Sequence, residues 1–148
     1  MLSNLIGDGC VYKLLSISES EITRYVKLQN CETGEEEYCF DDSDVRYDCQ
    51  DDFAFMTIGN VYECKILLFD CRIISAKLPN HSCIECRIVN NNLSIGNLAV
   101  IQIESNGNTY YIAKRDIMHY PKNSKLFLAY SRKDLIQVNG VVAPRLLR

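Results

Sequence analysis

Glycine and proline are scarce in this chain, 7 and 3 among 148 residues, and histidine is scarcer still at 2. So little turn-forming material, beside 47% hydrophobic and 24% charged residues, excludes a disordered or collagen-like chain and leaves a globular domain. Long apolar runs are missing as well. The longest, such as Ile66-Leu67-Leu68-Phe69, meets a charge within a few residues, well short of the roughly 20 residues needed to cross a bilayer. Met1 to Leu15 has no cationic start before an apolar core and no small-residue cleavage site, so no secretory leader is expected and the expected location is the cytoplasm. A chain of this length buries roughly 68–70% of its unfolded surface and can fold unaided.

The motifs of common enzyme classes are absent too. Gly-x-Ser-x-Gly, the P-loop pattern and Gly-x-Gly-x-x-Gly do not occur, which removes local support for a serine hydrolase, a nucleoside triphosphatase or a dinucleotide enzyme. A base deaminase needs His-x-Glu upstream of its cysteine pair, and none precedes Cys83 and Cys86. With His81 and His119 as the only imidazoles, a Cys–His nucleophile reduces to His81 with Cys83, which share one strand face at i and i+2. Asp52 followed by Glu63-Cys64-Lys65 has the acids to hold a divalent metal and a lysine to orient water, as in some nucleases. Acid-x-base triplets are common in alternating strands, however, and no helical segments flank this one. Asp42-Ser43-Asp44 begins like a calcium loop, but Arg46 stands at the next ligand position and the sharp-turn glycine is missing. No catalytic residue is assigned, and no cofactor is expected.

Cysteine, in contrast, is abundant at 8. In the cytoplasm these thiols are expected to stay reduced. His81, Cys83 and Cys86 offer a short-spaced set for zinc, but Ile84 and Ile88 flank Cys86 at period two, so the segment reads as a strand. Residues three apart on a strand face opposite ways and cannot share one ion. Buried cysteine acting as a small hydrophobe is the favoured reading.

Apolar residues recur at period two, and Val, Ile, Tyr, Thr and Cys crowd the alternating stretches, which predicts an all-β chain with little helix. Expected strands are 10–18, 22–28, 36–40, 60–69, 71–77, 83–89, 98–104, 109–114 and 125–130, with 134–138 and 141–143 closing the chain. Asn106-Gly107 and Asn139-Gly140 supply the positive φ angles of two-residue hairpin turns. One helical turn is allowed, at 116–120 or around 131–134. Three strands open with Ile-Gly-Asp or Ile-Gly-Asn, at residues 6, 58 and 95, as turns or bulges feeding barrel strands do. The expected fold is one or two small SH3-like or OB-like barrels built from meanders and hairpins. The organisation reads as an N-terminal meander over 1–52 and a barrel-like unit over 53–148, or as one continuous domain.

Charge is segregated along the chain. From Glu32 to Asp52 ten acids (Glu32, Glu35, Glu36, Glu37, Asp41, Asp42, Asp44, Asp48, Asp51, Asp52) stand against Arg46 alone, whereas residues 113–148 carry eight bases against Asp116 and Asp134. The formal net charge of −3 hides this asymmetry. With catalysis unsupported, the chain reads as a non-catalytic interaction protein with a protein partner. Glu35, Glu36, Glu37, Tyr38, Asp41, Asp42, Asp44, Tyr47 and Asp48 are its expected contact residues. Spaced carboxylates with aromatic anchors suit a basic groove, such as that of a nucleic-acid enzyme which this chain would inhibit or assist. The alternative is nucleic-acid binding by the basic, aromatic C-terminal third, through Lys114, Arg115, Tyr120, Lys122, Lys125, Tyr130, Arg132 and Lys133. A sequence pI near 5.4 weighs against it. A metal-dependent nuclease-like or zinc-containing protein is the remaining reading.

Overall fold

The structure, a computed structural model, describes residues 10–20, 23–41, 43, 53–76 and 82–147. It is nearly all β. Eleven strands are described: β1 Cys10–Glu19, β2 Arg24–Asn30, β3 Glu36–Phe40, β4 Val61–Phe69, β5 Arg72–Ile74, β6 Cys83–Ile95, β7 Leu98–Ser105, β8 Asn108–Ala113, β9 Lys125–Ala129, β10 Arg132–Val138 and β11 Val141–Val142. Among the described residues no helix is long and apolar enough to cross a membrane.

Alternation decides which side chains turn inward. Tyr12 and Leu14 of β1, Val26 and Leu28 of β2, Cys39 of β3, and Tyr62, Cys64, Ile66 and Leu68 of β4 are buried in one core, and their outward neighbours are polar or half-exposed. β1, β2 and β3 form the expected meander. β3 then pairs in parallel with β10, β10 runs antiparallel to β4, and β4 returns antiparallel to β1. This closes a five-stranded barrel in the order β1-β2-β3-β10-β4. One parallel pair between the third and last strands of a five-stranded Greek-key barrel is the OB-like arrangement. The strands on either side of residue 52 therefore share one barrel.

The remaining strands continue from β4 in the order β8-β7-β6-β9-β5. Asn106 and Gly107, at φ 51° and 82°, and Asn139 and Gly140, at 47° and 84°, make the two expected hairpin turns. Three expectations about local structure are corrected. The strand expected over 71–77 is only Arg72–Ile74, with bends at 75–76. The short helical turns are 3-10 turns at Lys114–Asp116 and Pro144–Leu147. At 131–134 the chain is in β10 from Arg132 on, where Asp134 pairs with Phe40, and residues 117–120 are not helical. β6 also runs on to Ile95, past the expected end at residue 89, because bulges around Asn90–Leu93 let it stay paired with β7. A smaller apolar cluster, Leu67, Ile95, Val100, Tyr111, Ile136 and Leu146, packs on the outer side of β4 and β10.

Candidate functional site

Strand register lines up aromatic side chains on the outside of the barrel. Tyr25 of β2 faces Phe40 of β3 across the ladder, and Tyr38 sits opposite Lys27. All of these point away from the core, because their neighbours Val26, Cys39 and Leu28 point into it. The Tyr25 and Tyr38 rings stack at 4.9 Å between centroids with only 2° between planes, and Tyr25 meets Phe40 at 5.4 Å in a tilted contact. The row continues across β10. The Arg132 guanidinium carbon lies 4.3 Å from the Phe40 centroid and 4.5 Å from that of Phe69, so the cation is held between two rings. Asp134, wholly buried, fixes the guanidinium in its plane, accepting from Arg132 Nε at 2.5 Å and from another nitrogen at 2.9 Å. A two-pronged pairing of this kind sets orientation as well as attraction. Tyr38 is 55% exposed and Phe69 36%, which makes the row accessible.

Behind this face lies a polar knot. Glu37 points into the barrel, where it accepts hydrogen bonds from the Tyr110 hydroxyl and from the Lys133 ammonium. Lys133 also lies 5.4 Å from the Tyr110 ring centre and 6.0 Å from that of Tyr130. Burial alone would pull the lysine pKa down, but the Glu37 carboxylate, by hydrogen bond and charge, outweighs it and holds the ammonium above its ordinary value. Burial raises both tyrosine hydroxyls, with Glu37 adding to the rise at Tyr110. A second knot ties the β2–β3 turn to the β7–β8 turn: Asn30 donates to Asn108 at 2.8 Å, and Asn108 donates to Glu35 at 2.6 Å.

The expected acidic contact residues therefore divide. Glu35, Glu36 and Tyr38 are exposed, whereas Glu37 and Asp41 are buried, the latter against Arg24 at 3.0 Å. Strand parity explains the split, since residues 37, 39 and 41 share the inward side. Asp42, Asp44, Tyr47 and Asp48 lie outside the described residues. The basic residues of the alternative reading divide too. Arg115, Tyr120, Lys122 and Lys125 are exposed, and Lys114 and Tyr130 are half-buried. Arg132 faces the outer aromatic row and Lys133 the interior, so these bases make no single stripe. Among the zinc candidates His81 lies outside the described residues, Cys83 is half-buried and Cys86 is in the core. Asp52 of the nuclease-like set also lies outside them. Among the described residues no group of three or more His, Cys, Asp or Glu is placed to hold a metal ion, and every described cysteine is a free thiol.

Neither the Arg132 sandwich nor the Glu37 knot is legible in the sequence. Their partners are remote in the chain, up to 96 residues for Glu37 and Lys133. The one local signal was that Glu37 shares parity with Cys39. No protein-family model matches this chain, and no curated protein does.

Proposed function

We propose that the chain is a non-catalytic interaction module that docks a protein partner on the outer face of β2, β3 and β10. The observation that carries this reading is the accessible row Tyr38, Tyr25, Phe40, Arg132 and Phe69. Tyrosine and arginine dominate binding hot spots because they offer large contact area with a polar or charged end. Here Asp134 and the flanking rings already hold Arg132 in place, so little side-chain entropy is lost on docking. Exposed Glu32, Glu35 and Glu36 at the end of the same strands favour a partner with cationic side chains at its rim and would speed association.

A second reading has one observation in its favour: OB-like barrels bind oligonucleotides on the face of their second and third strands, which is where the aromatic row lies. Fold-level analogy does not establish function, and the mixed charge around the row, with Lys27 3.7 Å from Glu36, gives a phosphate backbone no clear attraction. One pair of measurements separates the two. Nuclease-treated extract is passed over the wild-type chain and over Tyr25→Ala/Tyr38→Ala, and single-stranded homopolymers are titrated against both. A protein retained only by wild type supports the proposal. Homopolymer binding that weakens steeply with salt and is lost in the double variant transfers the face to nucleic acid.

A further inference from the structure

Next to the aromatic row, between the end of β4 and the C-terminal 3-10 turn, the structure holds a cavity of about 400 Å³. That is within the range of small-molecule sites. Its apolar wall is made by Leu67, Leu98 and Leu146, and its charged wall by two carboxylates, Asp70 and Asp116, and two guanidiniums, Arg115 and Arg145.

Hydrogen bonds fix both walls. Asp116 accepts from the backbone N–H of Cys71 at 3.3 Å and Asp70 from the Ser131 hydroxyl at 3.0 Å, so both carboxylates sit at the corner between β4 and β5. Asp70 takes a left-handed φ of 57° there, a conformation that aspartate tolerates better than most residues. On the other side Arg145 donates to the buried Asp134 at 3.2 Å, and Leu146 receives the Asn97 N–H at 2.6 Å. The two acids are thus tied to the β4–β5 corner and Arg145 to Asp134 of β10, and Leu67, Leu98 and Leu146 line the same cavity.

We propose that this cavity binds a small zwitterion with an apolar body, of the aliphatic α-amino acid class. The ammonium group would meet Asp70 and Asp116, the carboxylate would meet Arg115 and Arg145, and the side chain would cover the leucines. A simple anion is disfavoured by the two carboxylates, and a simple cation by the two guanidiniums. A ligand carrying both charges makes charge-assisted hydrogen bonds at each end.

The test uses the full chain and calorimetric titration with L-leucine, L-isoleucine, L-valine and L-methionine. Two analogues of leucine are titrated alongside: 3-methylbutylamine, which lacks the carboxylate, and 4-methylpentanoate, which lacks the ammonium. Saturable binding of at least one amino acid is expected. Both leucine analogues should bind at least about tenfold more weakly than leucine, the loss of one charge-assisted contact. Arg115→Gln, at an exposed position, should weaken the amino acid by a similar factor without altering the circular dichroism spectrum. Asp116→Asn supplies an independent check from the opposite wall. No saturable binding of any of the four at about 10 mM overturns the proposal, and so does an analogue that binds as well as leucine.

Discussion

Cys31 and Cys39 lie eight residues apart, one on a turn and the other in β3, and differ sharply in chemistry. Cys31 is exposed on the turn between β2 and β3. Cys39 is fully buried, and loss of solvation pushes its thiol well above the ordinary range, with Glu37 adding to the rise. Cys64 shifts the same way for the same first reason, and burial raises Cys71 and Cys86 to about 12. Thiolate is the reactive form, so accessibility and ionisation act together. A thiol-titrating disulfide reagent should therefore label Cys31 rapidly in the native state and reach Cys39, Cys64, Cys71 and Cys86 only through unfolding. The expected signature is a fast phase that loses one equivalent in Cys31→Ser. An unchanged fast phase in that variant would contradict the exposure of Cys31.

At the scale of elements, β3 is amphipathic in an unusual sense, because a carboxylate occupies an inward position. Glu36→Gln removes an exposed charge whose partner Lys27 is 3.7 Å away and should change stability by no more than about 0.5 kcal/mol. Glu37→Gln breaks a buried pair and leaves Lys133 without its counter-charge, which should cost about 3–5 kcal/mol. Urea denaturation of the two variants side by side checks the contrast, and equal losses would refute the placement of Glu37. The hairpin at Gly96 gives a second test of element packing. Its φ is +57°, and an added Cβ would lie 2.5 Å from the Leu146 carbonyl oxygen. Gly96→Ala should therefore destabilise by about 1–3 kcal/mol and displace the C-terminal turn, visible as chemical-shift changes at Asn97 and Leu146. Elements of this kind were legible in the sequence where their causes are local. The Asn-Gly turns carry their own φ preferences, and β1, β2, β4, β7 and β8 carry period-two patterns, so their bounds fall within a residue or two of expectation. What the sequence could not show was pairing at a distance. β10 reaches β3 by a single parallel partner pair, Asp134 with Phe40, and only that closure explains why Arg132 meets Phe40 and why Glu37 is buried. A count of acids gives no parity, and parity alone gives no partner.

At the scale of the whole molecule, one apolar core runs through both halves of the chain, from Tyr12 and Leu28 to Ile88, Ile103 and Leu128. It also encloses an unusual number of groups that ionise at alkaline pH. Burial raises Cys39, Cys64, Cys71, Cys86, Tyr12, Tyr110 and Tyr130. Lys133 moves upward as well, burial opposing the shift and Glu37 prevailing. For every one of them the folded state binds its proton more tightly than the unfolded chain does. Between the unfolded and folded pKa the unfolded state therefore carries fewer protons, and stability falls as pH rises. The cysteines begin this loss at their ordinary value of 9.0 and the tyrosines join at 10.0. Each group contributes up to about 1.4 kcal/mol per pH unit, and for Cys71 and Cys86 the loss continues to about 12. Below about pH 8.5 all of these contributions are fully present, because the unfolded chain is then still largely protonated at the same groups. The urea midpoint should accordingly show no loss from these groups between about pH 7 and 8.5 and then drop with increasing slope toward about pH 11. A midpoint that holds steady across that upper range would mean that the thiols and hydroxyls are solvated in the folded protein, and the shared core would have to be redrawn.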